Sequence, residues 1–225
     1  MNRLSSSFRF SLLIGMIVLA SSAALASTLR PVLPQDGVVE PERLLKELYQ
    51  RVQGGEDSWP DEEAQSRVKN SLIMIGEANA EDRLLVIRAI DKMVGDTQFE
   101  FDMHLHHFAA DVLEKLKAID VLIKHMNYSD ILATWSSYST PYIKALVEIG
   151  EPSIPQLEEA LANGSYFTRC RAAKALGNIG TTKAEEALEK ARATEKDTNV
   201  LSLINEYIRV LSEPPPPGKI TRRRN

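Results

Sequence analysis

Apolar residues recur three and four positions apart through most of the chain, which is the spacing of one face of an α-helix. Alternating apolar and polar runs of the kind that build strands are nearly absent. The pattern therefore predicts an all-α protein. The predicted helices cover residues 41–53, 61–75, 80–94, 103–116, 118–126, 141–149, 153–162, 166–179, 183–193 and 198–211.

Two heptapeptides set thirty residues apart are nearly the same. KALVEIG at 144–150 and KALGNIG at 174–180 share Lys, Ala, Leu, Ile and Gly at matching positions. A period of this length with helical spacing inside each copy is typical of stacked helical repeats. Glycine after a helix adopts the left-handed conformation without a Cβ clash, so Gly150 and Gly180 are predicted to end helices and reverse the chain. Gly76, which also follows an isoleucine, is predicted to do the same.

The segment 168–180, TRCRAAKALGNIG, resembles the core of HEAT repeats, in particular the short bacterial form also found in phycobilisome-lyase-like proteins. Residues 149–157 and 118–123 are similar to the turn and second helix of that motif. The resemblance implies a short α-solenoid of antiparallel helix pairs over residues 61–212, with a structural role for Arg169 at neighbouring helix ends or turns. Lyase members of the family attach a chromophore, but no separate motif in this chain supports that activity, so the resemblance carries the fold alone.

The chain begins with the three-part pattern of a secretory signal peptide. Arg3 and Arg9 precede an apolar run over 10–20, and small residues end at Ala24-Leu25-Ala26. We predict a signal peptide over 1–26 and export to a bacterial periplasm or the exterior. The alternative is an uncleaved anchor, although the run is shorter than the roughly 18–20 residues of a spanning helix. Residues 27–60 are predicted to be a linker with one helix, and 213–225 a Pro-rich, basic tail.

Net charge and cysteine content exclude some classes of function and one source of stability. The net charge is −4 at neutral pH, and loss of Arg3 and Arg9 with the leader brings it to about −6. An acidic chain is poorly suited to general nucleic-acid binding, which needs a basic face against the phosphates. Cys170 is the single cysteine, so no intramolecular disulfide can form and the fold must rely on apolar packing.

One histidine-rich helix start is a candidate metal site. His104, His107 and Asp111 are spaced to share a helix face and are suitable ligands for Zn²⁺. The alternative is a polar helix start with solvated imidazoles, and the spacing matches no established zinc motif. We expect neither a metal nor another cofactor.

The predicted interaction surface lies on the second helix of each pair, which is expected to line the concave face of the solenoid. Its exposed residues would be Gln156, Glu159, Lys183, Glu186 and Arg192. Trp135 and Tyr138, in the irregular link 127–140, either anchor a partner or fold back to plug the stack. The sequence thus predicts a non-enzymatic scaffold that binds a protein partner. The alternatives are a lyase-like or metal-dependent enzyme or enzyme subunit centred on His104 and His107, and a structural envelope protein.

Overall fold

The computed structural model describes residues 41–46, 62–96, 102–128 and 140–213. The predicted signal peptide, most of the predicted linker, Trp135, Tyr138 and the basic tail lie outside the described residues. Residues 41–46 are helical. The helices that follow are α1 (Glu62–Ala78), α2 (Ala80–Val94), α3 (Met103–Lys115), α4 (Ile119–His125), α5 (Pro141–Ile149), α6 (Ile154–Asn163), α7 (Tyr166–Ile179), α8 (Thr182–Arg192) and α9 (Thr198–Ser212), with a short 3₁₀ turn at Glu151–Ser153 before α6.

These helices form a stack of antiparallel pairs, so the prediction of an all-α solenoid is confirmed. The pairs are α1–α2, α3–α4, α5–α6 and α7–α8, and α9 packs on the last of them. The first helices α3, α5, α7 and α9 contact one another in sequence, as do the second helices α4, α6 and α8. No strand occurs in the part of the chain that the structure describes. No described helix has the length and apolarity that crossing a membrane requires.

Helix starts are set by local side-chain caps, which explains why most boundaries could be predicted within one or two residues. At six helix starts a side-chain oxygen accepts a hydrogen bond from a backbone amide of the first turn. This amide has no hydrogen-bond partner within the helix backbone itself. The capping residues are Asn79, Asp102, Thr140, Ser165, Thr181 and Asp197.

Small side chains let successive first helices approach closely. Ala172, Ala173 and Ala175 on α7 are completely buried. Gly177 lies against the ring of Tyr207 on α9, and a Cβ at that position would overlap the ring. The first heptapeptide has Val147 at the corresponding position. The repeat therefore departs from its own pattern where an aromatic ring of the next helix needs the space.

Two of the three predicted turn glycines behave as expected. Gly150 has φ 75° and Gly180 has φ 67°, and both follow the end of a first helix. The prediction for Gly76 is wrong, because α1 continues through it to Ala78. Gly76 is buried, and a Cβ there would come within 2.7 Å of Leu116 Cδ2. This glycine is needed for close packing against the second pair and does not reverse the chain.

In the turn between α3 and α4, the residue with a positive φ is not a glycine. Lys117 has φ 52°, in the left-handed region that costs an L-residue roughly 1–2 kcal/mol. Its side chain is exposed, so nothing in the packing requires a lysine at this turn.

We expect opposite effects from two substitutions at these turns. Gly180→Ala should lower the free energy of unfolding by about 1 kcal/mol, because the new Cβ has room but the backbone conformation disfavours it. Lys117→Gly should raise it by up to about 1 kcal/mol by relieving the same strain. Urea unfolding followed by circular dichroism measures both. Two changes of the same sign would contradict the interpretation.

Candidate functional site

A groove lies between α6 and α8, the second helices of the last two pairs. Its volume is about 460 Å³, within the roughly 300–1,000 Å³ typical of ligand pockets. The apolar residues that line it are Pro155, Leu161, Ala162, Ala187 and Ala191. Leu161 and Ala187 are buried and form its base. Because the alanine side chains are short, they leave open space between the two helices.

Two ion pairs join α8 to the preceding helix pair, and the residues of one of them, Lys190 and Glu158, line this groove. Lys190 Nζ lies 2.9 Å from Glu158 Oε2, and Lys183 Nζ lies 2.6 Å from Glu151 Oε2. Each lysine is 32 residues beyond its glutamate. The lysines are well exposed, so water and salt screen both pairs and each contributes little to stability. Together they fix the register of the two second helices.

Arg169 closes the groove near the C-terminal ends of α6 and α8. Its Nε donates to Glu195 Oε2 at 2.9 Å, and a terminal nitrogen donates to the Gly164 carbonyl at 3.1 Å. Glu195 also accepts from the backbone amides of Lys196 and Asp197 at 2.9 and 2.8 Å. Burial alone would raise the pKa of Glu195, but these hydrogen bonds and the guanidinium hold it below its ordinary value. Arg169 thus ties two neighbouring turns together, in the structural role that the HEAT resemblance implies.

Two charged side chains at the groove remain available to a partner. Glu159 is exposed, and Asn163 donates one hydrogen bond to its carboxylate at 2.8 Å. Lys196 is also exposed. Neither forms an ion pair with any described residue, although both line the groove. The groove therefore offers one free carboxylate and one free ammonium group beside an apolar base.

Among the predicted interaction residues that the structure describes, Glu159 alone lines this groove. Lys183 pairs with Glu151 and Arg192 with Glu189, Glu186 is exposed elsewhere, and Gln156 is half-buried with Oε1 enclosed. The sequence interpretation missed Glu158, Lys190, Glu195 and Lys196 as groove residues. The constant offset of 32 between acid and lysine in the two ion pairs was the signal that could have identified Glu158 and Lys190.

The three candidate metal ligands are not brought together as a ligand set. His104 and His107 are exposed, and the Asp111 carboxylate pairs with Lys69 Nζ at 3.0 Å. Across the described segments, no three or more His, Cys, Asp or Glu side chains are grouped so that they could hold a metal ion.

The buried histidines form a different cluster, which the sequence did not indicate. His106 is buried, and its Nδ1 lies 2.6 Å from Tyr142 Oη. Its ring stacks on Tyr128 with a centroid separation of 3.5 Å. Burial raises the pKa of Tyr142, so its hydroxyl stays protonated. The cluster joins α3 and α5 to the residues that follow α4.

His125 and Lys124 both hold the carboxylate of Asp91 on α2. His125 Nε2 lies 2.6 Å from Asp91 Oδ1, and Lys124 Nζ donates to both oxygens at 2.8 Å. Burial tends to raise the pKa of Asp91, but the hydrogen bonds from Lys124 and His125 outweigh it and the pKa is lowered from 3.8. This contact links α2 to the end of α4.

Comparison with known families agrees with the geometry. A family model described as PBS lyase HEAT-like repeat matches residues 168–193, which cover most of α7, all of α8 and the turn between them. No curated protein matches the chain.

Loss of Arg169 should destabilise the fold more than loss of a groove lysine. Arg169→Ala should cost about 2–3 kcal/mol of unfolding free energy, because it leaves the buried carboxylate of Glu195 without its cation. The control Lys190→Ala removes an exposed pair and should cost less than about 1 kcal/mol. Chemical unfolding of both variants checks this, and equal losses would contradict it.

The Asp91 contact predicts a specific acid dependence. Because the folded pKa of Asp91 lies below its unfolded value, its stabilisation is present above about pH 4 and is lost as the pH falls through the folded pKa. Asp91→Asn should therefore cost about 1–2 kcal/mol at pH 7, and the gap to wild type should close at lower pH. The control Asn205→Ala, at an exposed position of α9 without a titrating group, should leave the stability nearly unchanged at every pH. A gap for Asp91→Asn that does not change with pH would contradict the assignment.

Proposed function

We propose that this HEAT-like repeat protein is a non-enzymatic scaffold that binds an extended polypeptide segment of a partner in the groove between α6 and α8. The observation that carries the proposal is the combination of an apolar base with one unpaired acid and one unpaired lysine at the same groove. An extended backbone presents both N–H donors and carbonyl acceptors. Glu159 can accept from the former and Lys196 can donate to the latter.

The charge balance of the groove favours a polypeptide over a polyanion. Three acids and three cations line it: Glu158, Glu159, Glu195, Arg169, Lys190 and Lys196. Two of the cations already pair with two of the acids. A nucleic acid or polyphosphate would need an excess of free cations, which this groove does not offer.

The chemistry of the groove supports a binding role. Neither histidine nor cysteine lines it, so it offers no general base of the imidazole type and no thiol. Cys170 lies half-buried nearby on α7, and burial raises the pKa of its thiol. A reactive cysteine needs the opposite shift, toward the thiolate.

We further propose that the scaffold acts outside the cytoplasm. The support is the basic start, short apolar run and Ala-Leu-Ala end of residues 1–26. A polypeptide partner would then belong to the envelope or the exterior of the cell.

Site-specific photo-crosslinking in the source cells tests the groove. A photoreactive amino acid at Ala162, an exposed groove residue, should give a discrete covalent adduct with a partner, which mass spectrometry identifies. The matched control is the same amino acid at Asn205, an exposed position on α9 away from the groove.

A second variant tests the same groove by filling it. Ala162→Trp should place an indole over the apolar base and lower recovery of the crosslinked partner, with a crosslinker at the exposed groove residue Thr194, by at least about tenfold. Asn205→Trp should leave recovery unchanged. Adducts of equal yield from positions 162 and 205, or no adduct from position 162, would overturn the proposal.

A further inference from the structure

Arg171 lies on the side of α7 opposite the groove. Residues two positions apart on a helix point roughly 200° away from each other, and Arg169 already faces the groove. Arg171 instead contacts Asn127, which follows α4 in an earlier helix pair. Its surroundings are therefore separate from those of the groove described above.

A chain of hydrogen bonds holds the Arg171 guanidinium in place. One terminal nitrogen donates to Asn127 Oδ1 at 2.7 Å, and Asn127 Nδ2 donates to Thr168 Oγ1 at 2.8 Å. The Thr168 hydroxyl lies 2.9 Å from that of Ser165, the capping residue of α7. The arginine side chain is thus oriented before any partner arrives.

The Arg171 guanidinium is partly buried, yet no carboxylate among the described residues neutralises its charge. Arg171 is half-buried, and burial lowers its pKa below the ordinary value, with no carboxylate acting to raise it. Within the described ranges, Asn127 is the one hydrogen-bond acceptor that it contacts, and no Asp or Glu pairs with it. Arg169, two residues earlier, has both a carboxylate and a carbonyl. A partly desolvated cation without a counterion costs stability.

An exposed aromatic ring lies on the same helix face. Phe167 precedes Arg171 by four residues, the spacing that places side chains together on a helix surface. Its side chain is 52% exposed, and Tyr166 packs against it edge-on with a centroid separation of 5.2 Å. The ring is therefore braced but uncovered, beside a guanidinium with unused donors.

We infer that Arg171 and Phe167 form a second recognition site, which takes an acidic side chain of a polypeptide together with an adjoining apolar side chain. The guanidinium fork binds the carboxylate through two parallel N–H···O bonds, and the ring packs on the apolar neighbour. A phosphate group carries up to two charges and would call for further cations or amide donors at this position. The site is independent of the groove and does not require the groove proposal to be correct.

Titration with short peptides tests the site directly. The purified protein, labelled with ¹⁵N, is titrated with acetyl-Leu-Asp-Leu-amide, and the Nε–H signal of Arg171 is followed by NMR. We expect a saturable shift, absent with acetyl-Leu-Asn-Leu-amide. Arg171→Gln lacks this signal, so its binding is followed on the backbone amide of Phe167, and its dissociation constant should be at least about tenfold weaker than that of the wild type measured on the same amide. Phe167→Ala should weaken binding about threefold with retention of the Nε–H shift. Inorganic phosphate should give a weaker response than the Asp peptide. The inference is overturned if the Asp and Asn peptides act alike, or if phosphate binds as well.

A stability measurement separates recognition from a structural role. If Arg171 serves binding, Arg171→Met should leave the melting temperature unchanged or raise it, because it removes an uncompensated cation and keeps the packing of the side-chain stem. The control Arg169→Met removes a satisfied pair and should lower the melting temperature by several degrees, roughly 4 °C or more. A comparable loss for Arg171→Met would assign the residue to the fold and overturn the inference.

Discussion

Successive first helices of the stack approach one another through alanine and glycine, and the rest of the architecture follows from that close approach. Ala172, Ala173 and Ala175 bring α7 against its neighbours, and Gly177 admits the ring of Tyr207. Neighbouring helix pairs that pack closely through their first helices need not pack as closely through their second helices. On the second-helix side, the space between α6 and α8 is lined by short side chains and bridged by lysines. The groove is therefore a by-product of how the opposite side packs.

Features set by neighbouring residues could be predicted from the sequence, while those set by distant contacts could not. The helix starts and the turns at Gly150 and Gly180 depend on local caps and on a positive φ that glycine adopts without strain. Gly76 carries the same Ile-Gly signal, but its environment is decided by Leu116, forty residues further along the chain. The same limit applies to the site. Glu159 was identified from its exposed helical position, whereas Glu158 was missed because its partner, Lys190, lies in the next pair.

Arg169 and Arg171 lie two residues apart on α7, but their guanidinium groups have different surroundings. Both emerge from α7 within a single turn, and both are partly buried. One meets a carboxylate already held by two backbone amides, and the other meets an amide oxygen alone. No property of the two residues in the sequence distinguishes these surroundings. The difference lies in what the preceding and following helix pairs place opposite them.

The cross-helix ion pairs on the second-helix side also have a direction. In each of them the lysine comes from the later element and the acid from the earlier one: Lys124 to Asp91, Lys183 to Glu151 and Lys190 to Glu158. The two junctions that carry these pairs, α2–α4 and α6–α8, both place the cation on the later helix pair. These charges therefore give the stack a polarity along its length, and they favour one order of the helix pairs at those two junctions.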